Sequence, residues 1–403
     1  MRGLSGLKER SGGTEGILAA YVIRQVRKHG RAILLATVGL VITIAIRVQL
    51  FDFHSSDLDR FGLVWFKNLQ KLGLGEALKS GNVDYNPTYI YLLWLLTKLP
   101  FSHLVLIKLS SVVCDYACAA SLAFIVYHVH RSKLRASIAG FALLCTPTVV
   151  FNSSLWGQCD MVFALPLMLA LAAALRKNYY LTSALFGVAL AVKLQAIFLF
   201  PLLGIWVLRK EFPWRPLLLI PMIFFASLVP AWIAGCSLAD LLMIYPNQTV
   251  NYTSLNMNAP SIFNLLPDNG TWFGPFGLWF ASAVTFMAAI ACLYAQKSTT
   301  AILTIQMAMM FSCLIPFLLP RMHERYMFLG DVIGVLYAFL RPKHFWVSLL
   351  VIGASFASYF PFLFNSTPVP PAIASLMLGL ASIFLVFDLI RSLYPMAFTE
   401  QKG

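Results

Sequence analysis

Charge is what this sequence has least of. Its 403 residues include 30 lysines and arginines and 16 aspartates and glutamates, so charged side chains make up 11% of the chain. A soluble globular domain carries about a quarter, and the deficit excludes that class. Hydrophobic residues reach 59%, with a mean hydropathy of +0.77. The apolar runs are solid, without the alternation of a barrel strand, so helices are the form in which they cross a bilayer. A CxxC pair is also missing. Cys114, Cys118, Cys145, Cys159, Cys236, Cys292 and Cys313 are scattered, mostly inside apolar runs, which reads as small buried hydrophobes rather than a redox or metal motif. No short apolar core with a small-residue cleavage site occurs near the N-terminus, so a cleavable signal peptide is not expected. Residues 1–31 read as a basic tail, and the first span as an anchor that stays. The net charge of +14 is explained more simply by cytoplasmic loops than by nucleic acid, and no nucleic-acid partner is expected.

What the chain does have is a succession of spans. They are expected at 32–50, 104–130, 136–151, 160–176, 181–194, 195–208, 215–234, 275–295, 299–319, 326–340, 345–363 and 371–391. The fold class is an all-α polytopic membrane protein of about 11–13 transmembrane helices, forming a single domain over 1–403. The segments around 181–208 are short and read as half-helices meeting near Lys193 and Gln195. Two thirds of the 30 basic residues fall on one side: the tail, Arg131–Arg135, Arg176–Lys177, Arg209–Arg215, Lys297, Arg341–Lys343 and the region from Arg391 onward. The positive-inside bias makes that side cytoplasmic, together with both termini. Residues 85–101 are apolar enough to span, but a span there would invert every later loop. They read as a juxtamembrane helix on the outer surface. The outer side then holds residues 51–103, residues 235–274 and a short turn near 320–327.

The scarce polar groups are the candidates for chemistry. Asp52, Asp57 and Asp59 lie just beyond the first span, where a general base for a lipid-borne substrate has to sit; solvated loop charges are the plain alternative. Asp115 and Asp331 fall within spans and are functional candidates or carboxylates hydrogen-bonded to neighbouring helices. Asn152–Asp160, NSSLWGQCD, places Trp156, Gln158 and Asp160 at the outer end of a span, where capping and interfacial anchoring compete with a binding role. Lys193 has apolar neighbours on both sides and needs water or an anion, unless it snorkels. Arg321–Tyr326, RMHERY, packs two arginines, a histidine and a glutamate between apolar runs. Arginine suits phosphate through its bidentate fork, so a lipid-phosphate site competes there with an ion pair to Glu324.

The order of these features resembles the GT-C superfamily of membrane glycosyltransferases. More narrowly it resembles mannosyltransferases related to GPI mannosyltransferase II, and more distantly dolichyl-phosphate-glucose transferases. The stretches that carry the resemblance are SDLDRFGLVW with Asp57 eight positions before Trp65, YNPTYIYLLW, LWGQCD, the Lys193–Gln195 triplet and RMHERY. They run in the family's order over about residues 50–330. Asn86 stands where the family has the first proline of a pair. Asp59, two residues from Asp57, leaves the choice of base open.

The resemblance implies an inverting transfer of a hexose, mannose foremost, from a polyprenyl-phosphate donor to a lipid, glycan or protein hydroxyl at the extracytoplasmic face. The membrane is the bacterial plasma membrane or the endoplasmic reticulum. It makes Asp57 the base. Arg325, His323, Lys193 and Arg321 become groups for the donor phosphate. Trp156, Gln158, Asp160, Gln195, Glu324, Tyr326, Trp65 and Asp59 become groups around the substrates. Such a donor carries its own leaving group, so no nucleotide-binding domain or cofactor is expected, and no metal site is assigned. A flippase or transporter of lipid-linked sugars is the rival. It would keep its charges near the midplane, whereas the motif charges here fall at outer helix ends.

Overall fold

A computed structural model describes residues 14–80, 83, 85–250, 254–267, 270–295 and 298–395. Residues 1–13 of the basic tail, Lys297, and residues 251–253 and 268–269 of the second outer piece lie outside the described residues. In hydrocarbon each backbone N–H and C=O must be paired within its own segment, which leaves the helix as the workable form for these apolar runs. Among the described residues every regular element is accordingly helical, and the pairing of Met257 and Asn258 with His323 is an isolated bridge. The helices are α1 (Thr14–Leu50), α2 (Leu63–Lys79), α3 (Pro87–Leu96), α4 (His103–His130), α5 (Lys133–Leu144), α6 (Pro147–Val150), α7 (Asp160–Leu175) and α8 (Tyr179–Val192). They continue as α9 (Phe200–Leu208), α10 (Leu219–Ile233), α11 (Leu238–Val250), α12 (Gly270–Leu293), α13 (Ala301–Leu318), α14 (Phe328–Leu340), α15 (Phe345–Phe364) and α16 (Pro371–Leu393).

Among the described residues six helical stretches are long and apolar enough to cross a membrane: His103–His130, Arg215–Ile233, Trp272–Leu293, Ala301–Leu318, Pro342–Phe364 and Pro371–Leu393. The pair Lys133–Leu144 and Pro147–Trp156, bent by 53°, makes a seventh. The other expected spans are apolar helices of 10–17 residues, below the ~20 that one straight crossing takes. The chain is thus a multi-span helical membrane protein, with six or seven helices among the described residues long and apolar enough to span. Residues 14–31, expected as tail, belong to α1. Their Ala, Leu, Arg, Gln and Lys are strong helix formers and no proline interrupts them.

Polar side chains cap the start of several of these helices. Ser102, Ser132, Asn178 and Thr300 each accept from a backbone N–H three residues on, which satisfies one of the orphan donors of the first turn. Successive long elements reverse direction, so the bundle has two ends. One gathers the basic residues: His130 meets the carbonyl of Phe339, Arg209 donates to the carbonyls of Cys292 and Ala295, and Arg341 pairs with Asp388. The core is centred on α13, where every residue from Leu303 to Leu318 is buried. By contrast α10 and α12 turn Phe225, Trp232, Trp279 and Phe286 outward, as lipid-facing helices do.

The other end carries the loops. Helix α3, 10 residues long, spans about 15 Å at 1.5 Å per residue and cannot cross a core about 30 Å thick. Asn86 caps it ahead of Pro87, and it buries Tyr89, Ile90 and Leu93 in a small satellite core with Trp65, Phe66 and Leu69 of α2. A short helix is therefore present within residues 85–101, packed against α2 and, through Tyr91, against α10.

Candidate functional site

The site begins with three polar residues on one face of an otherwise apolar helix. Lys108, Ser111 and Asp115 stand at i, i+3 and i+7 of α4, so they line one stripe, and all three are fully buried. Each finds a partner. Lys108 Nζ donates to the carbonyls of Phe51 and Phe53, both at 2.7 Å, and of Leu50 at 3.3 Å. The Ser111 hydroxyl donates to the carbonyl of Gln158 at 2.6 Å. Asp115 accepts from Arg47 at 3.0 Å and Ser153 at 2.6 Å. The stripe thereby holds both the segment leading out of α1 and the turn that follows α6.

Those two segments also hold each other. The Ser55 hydroxyl donates to the carbonyl of Trp156 at 2.9 Å and accepts from the N–H of Leu58 at 3.2 Å. Gly157 has φ +79°, and a Cβ there would come within 3.1 Å of Leu58. The left-handed backbone favours glycine here, and the close approach of Leu58 adds to the penalty on a side chain. The lock aims Gln158 at Asp57, with Nε2 to Oδ2 at 2.9 Å. Arg325 reaches the same Oδ2 from the loop between α13 and α14, at 3.2 Å, and donates to Glu324 at 3.0 Å. Both donors fall on Oδ2, so Oδ1 is the oxygen left to meet a ligand. The Arg325 guanidinium lies 5.5 Å over the ring of Trp156, which is buried between Tyr359 and Phe362.

Lys193 arrives from a third direction. Helix α8 stops at Val192, Lys193 is extended at φ −154° and ψ 138°, and a 3₁₀ turn over Leu194–Leu199 leads into α9. The expected break between two half-helices falls at this residue. Lys193 is paired with Asp160 and sits 5.7, 5.8 and 6.0 Å from the rings of Tyr85, Phe163 and Tyr326, which favour a cation electrostatically. Asp160 opens α7, where a carboxylate suits the helix dipole, and also accepts from Asn152 at 2.7 Å.

These groups surround a cavity of about 200 Å³. Of the residues expected from sequence, Asp57, Trp65, Gln158, Lys193, Gln195, His323, Glu324, Arg325 and Tyr326 line it. Trp156 and Asp160 stand behind its wall, supporting Arg325 and Lys193. Asp59 and Arg321 are elsewhere. Asp59 is about half exposed and pairs with His54 at 2.7 Å, whereas the Asp57 side chain is only 20% exposed. Asp57-Leu58-Asp59 has the spacing of a D-x-D pair, but its two carboxylates serve different partners. Arg321, at φ +61°, donates to the carbonyl of Thr249 at 2.9 Å, and its backbone N–H donates to Leu255. It fastens Thr249 and Leu255 to the turn instead of facing the cavity.

Electrostatics corrects one further expectation. Burial, with help from Arg325 and Lys193, pushes His323 down to about 3. It is therefore a neutral imidazole at pH 7 and supplies no positive charge for a phosphate. Burial pushes Glu324 up to about 7 against the pull of Arg325. Desolvation raises Tyr85 as well, so its phenol keeps its proton. Arg325 and Lys193 are the cations of this wall.

Several wall residues carry no expectation from sequence. Tyr85, Asn86 and Tyr89 come from the YNPTY stretch, and Tyr245 and Gln248 from α11, with Met257 and Asn258 beside them. A signal did exist in α11, where Tyr245, Asn247 and Gln248 interrupt an apolar run around Pro246. The arrangement joins a carboxylate with one oxygen engaged and one open to two cations that can meet an anion. Comparison with protein-family models and with curated proteins gives no match for this chain.

Proposed function

We propose that this protein is an inverting membrane glycosyltransferase of the GT-C kind, whose donor is a hexose, mannose foremost, on a polyprenyl phosphate. The observation that carries the reading is the meeting of Asp57, Gln158 and Arg325 on one carboxylate oxygen, from positions 101 and 268 residues apart, with Lys193 across the same cavity. In the reaction, the acceptor oxygen attacks the anomeric carbon and the bond from that carbon to the phosphate oxygen breaks. The bonding pair leaves on the phosphate, and Asp57 Oδ1 takes the acceptor's proton. Arg325 and Lys193 meet the charge growing on the phosphate, a role worth several kcal/mol in a water-poor site. Gln158 and Arg325 hold Asp57 in position, and Glu324 in its protonated form leaves Arg325 with one carboxylate partner, Asp57, instead of two. The acceptor is a lipid, glycan or protein hydroxyl. The shorter helices complete the about 11–13 crossings of such a fold, the basic end faces the cytoplasm with both termini, and the cavity opens on the extracytoplasmic side.

Transport of a lipid-linked sugar is the second reading. It is favoured by one observation, the buried Arg47–Asp115 pair inside the helices. One experiment separates the two. Purified protein is incubated with synthetic polyprenyl-phosphate mannose or glucose and a pool of glycolipid acceptors, and products are read by mass spectrometry. Hexose transfer is expected, with Asp57→Asn slower by about 10²–10⁴ and Asp59→Asn within about tenfold of wild type. Movement of intact donor across vesicles without any transfer would replace the first reading by the second.

A further inference from the structure

At the basic end of the bundle, remote from the Asp57 cavity, a second cavity of about 620 Å³ opens between α1, α4 and α5. Its walls are almost wholly apolar. Ala119, Ala123 and Gly140 bring α4 and α5 into close contact, where a Cβ on Gly140 would lie 3.2 Å from the Ala119 carbonyl, and as small residues they line the cavity without filling it. Its inner end is closed by Tyr116, whose hydroxyl is 3.0 Å from that of Thr43 and whose ring lies 5.4 Å beneath Arg47. Its outer end is basic. Lys133 lines the mouth, and Arg176 lies 5.9 Å over the ring of Phe124, one of the walls. Neither cation is paired with a carboxylate among the described residues.

Length selects among occupants. From Lys133 to Leu144, both lining residues, α5 rises about 16 Å. That is half of a hydrocarbon core about 30 Å thick, the depth of one leaflet. A slot one leaflet deep, dry along its walls and positively charged at its rim, has the dimensions and polarity of one acyl chain beneath a phosphate headgroup. A second copy of the chain would bring another apolar surface and leave both cations unanswered.

We propose that this groove is a binding site for an anionic phospholipid, one acyl chain between α1, α4 and α5 and its headgroup phosphate on Lys133 and Arg176. Bound there, the lipid fills the space between α1 and the rest of the bundle, and ties α1 to the membrane leaflet at the basic end.

The test is native mass spectrometry of the full chain released from nanodiscs of palmitoyl-oleoyl phosphatidylglycerol, phosphatidylcholine or their equal mixture. Retained phosphatidylglycerol is expected in excess over phosphatidylcholine. Lys133→Gln with Arg176→Gln should erase that preference, by roughly fivefold for each charge removed, while the chain still folds. Ala120→Phe, from an exposed wall position, should fill the slot and abolish retention of both lipids. Equal retention of the two lipids by wild type, or retention unchanged in Ala120→Phe, would overturn the proposal. So would a dimer mass that disappears with Ala120→Phe, because a second copy would then be the occupant.

Discussion

Lys108 donates to the carbonyl of Phe53 at 2.7 Å, joining α4 to a segment 55 residues earlier in the chain. Four residues after Phe53 comes Asp57, so the position of the cavity's carboxylate is set by a lysine that never reaches the cavity. With Ser111 holding Gln158 one turn further along α4, a single helix face fixes both partners of the Asp57–Gln158 bond.

Replacing Lys108 by methionine keeps the aliphatic stem and removes the three carbonyl contacts. Displacing a reacting group by about 1 Å costs about 10²-fold in rate. Steady-state kinetics should show kcat reduced by up to that factor with the donor KM close to wild type, and Lys108→Arg should recover most of the loss. A variant with lower yield but normal kcat per folded molecule would make Lys108 structural only.

The Asp160–Lys193 pair is almost wholly buried, at 2% and 8% side-chain exposure. Removing one partner strands the other charge, which costs about 3–5 kcal/mol. Asp160→Asn should therefore lower the unfolding midpoint in detergent sharply. Lys193→Met combined with Asp160→Asn should restore much of that stability, but not hexose transfer. Transfer by the double variant at the wild-type rate would remove Lys193 from the phosphate site.

Glu324 sets a pH dependence whose sign can be worked out. Folded, it keeps its proton up to about pH 7, whereas the unfolded chain gives it up near the ordinary value of 4.5. Its raised folded value makes its contribution fully present below pH 4.5 and lost as pH rises through 7. Glutamine mimics the protonated form at every pH. Melting curves should therefore coincide near pH 4, and Glu324→Gln should become progressively more stable than wild type up to about pH 7, then hold that margin. A margin that shrinks as pH rises would mean that Glu324 is ionised in the folded state.

Arg325 and Arg321 share a six-residue stretch and separate by function. Arg325→Lys keeps the charge but loses the planar guanidinium, whose Nη1 donates to both Asp57 and Glu324 and whose other nitrogens are left for a phosphate. It should weaken both donor use and turnover by about 10-fold or more, in keeping with charged hydrogen bonds worth about 1.5–3 kcal/mol. Arg321→Ala should leave the kinetics near wild type and loosen the end of α11 at Thr249, read as faster hydrogen exchange there. A kinetic defect of equal size in Arg321→Ala would put that side chain back at the phosphate.

Sidedness is open to a direct measurement. Single cysteines placed at Lys133 and Lys343, at the basic end, should react with an impermeant maleimide only after the membrane is opened, and one at Asp59 should react from outside. Labelling of position 133 in intact cells would reverse the orientation.

Residue order alone was enough to establish a helical membrane protein, because apolar run length and the scarcity of charge act locally and leave few alternatives. It was also enough to pick out the break at Lys193 and the stretches around Asp57, Gln158 and Arg325, since polar groups amid apolar runs are conspicuous. Pairing was beyond its reach. Asp57 and Asp59 are equivalent as letters two places apart, and only the packing of Ser55 against Trp156 turns one into the cavity and leaves the other with His54. His323 is as basic as any histidine on paper and loses its charge through burial beside two cations. Arg321 and Arg325 part company because a left-handed residue at 321 sends its side chain to Thr249. In each case the deciding quantity is distance or desolvation created by segments far apart in the chain, 101 residues for Ser55 and Trp156 and 72 for Arg321 and Thr249, and neither exists until the helices have packed.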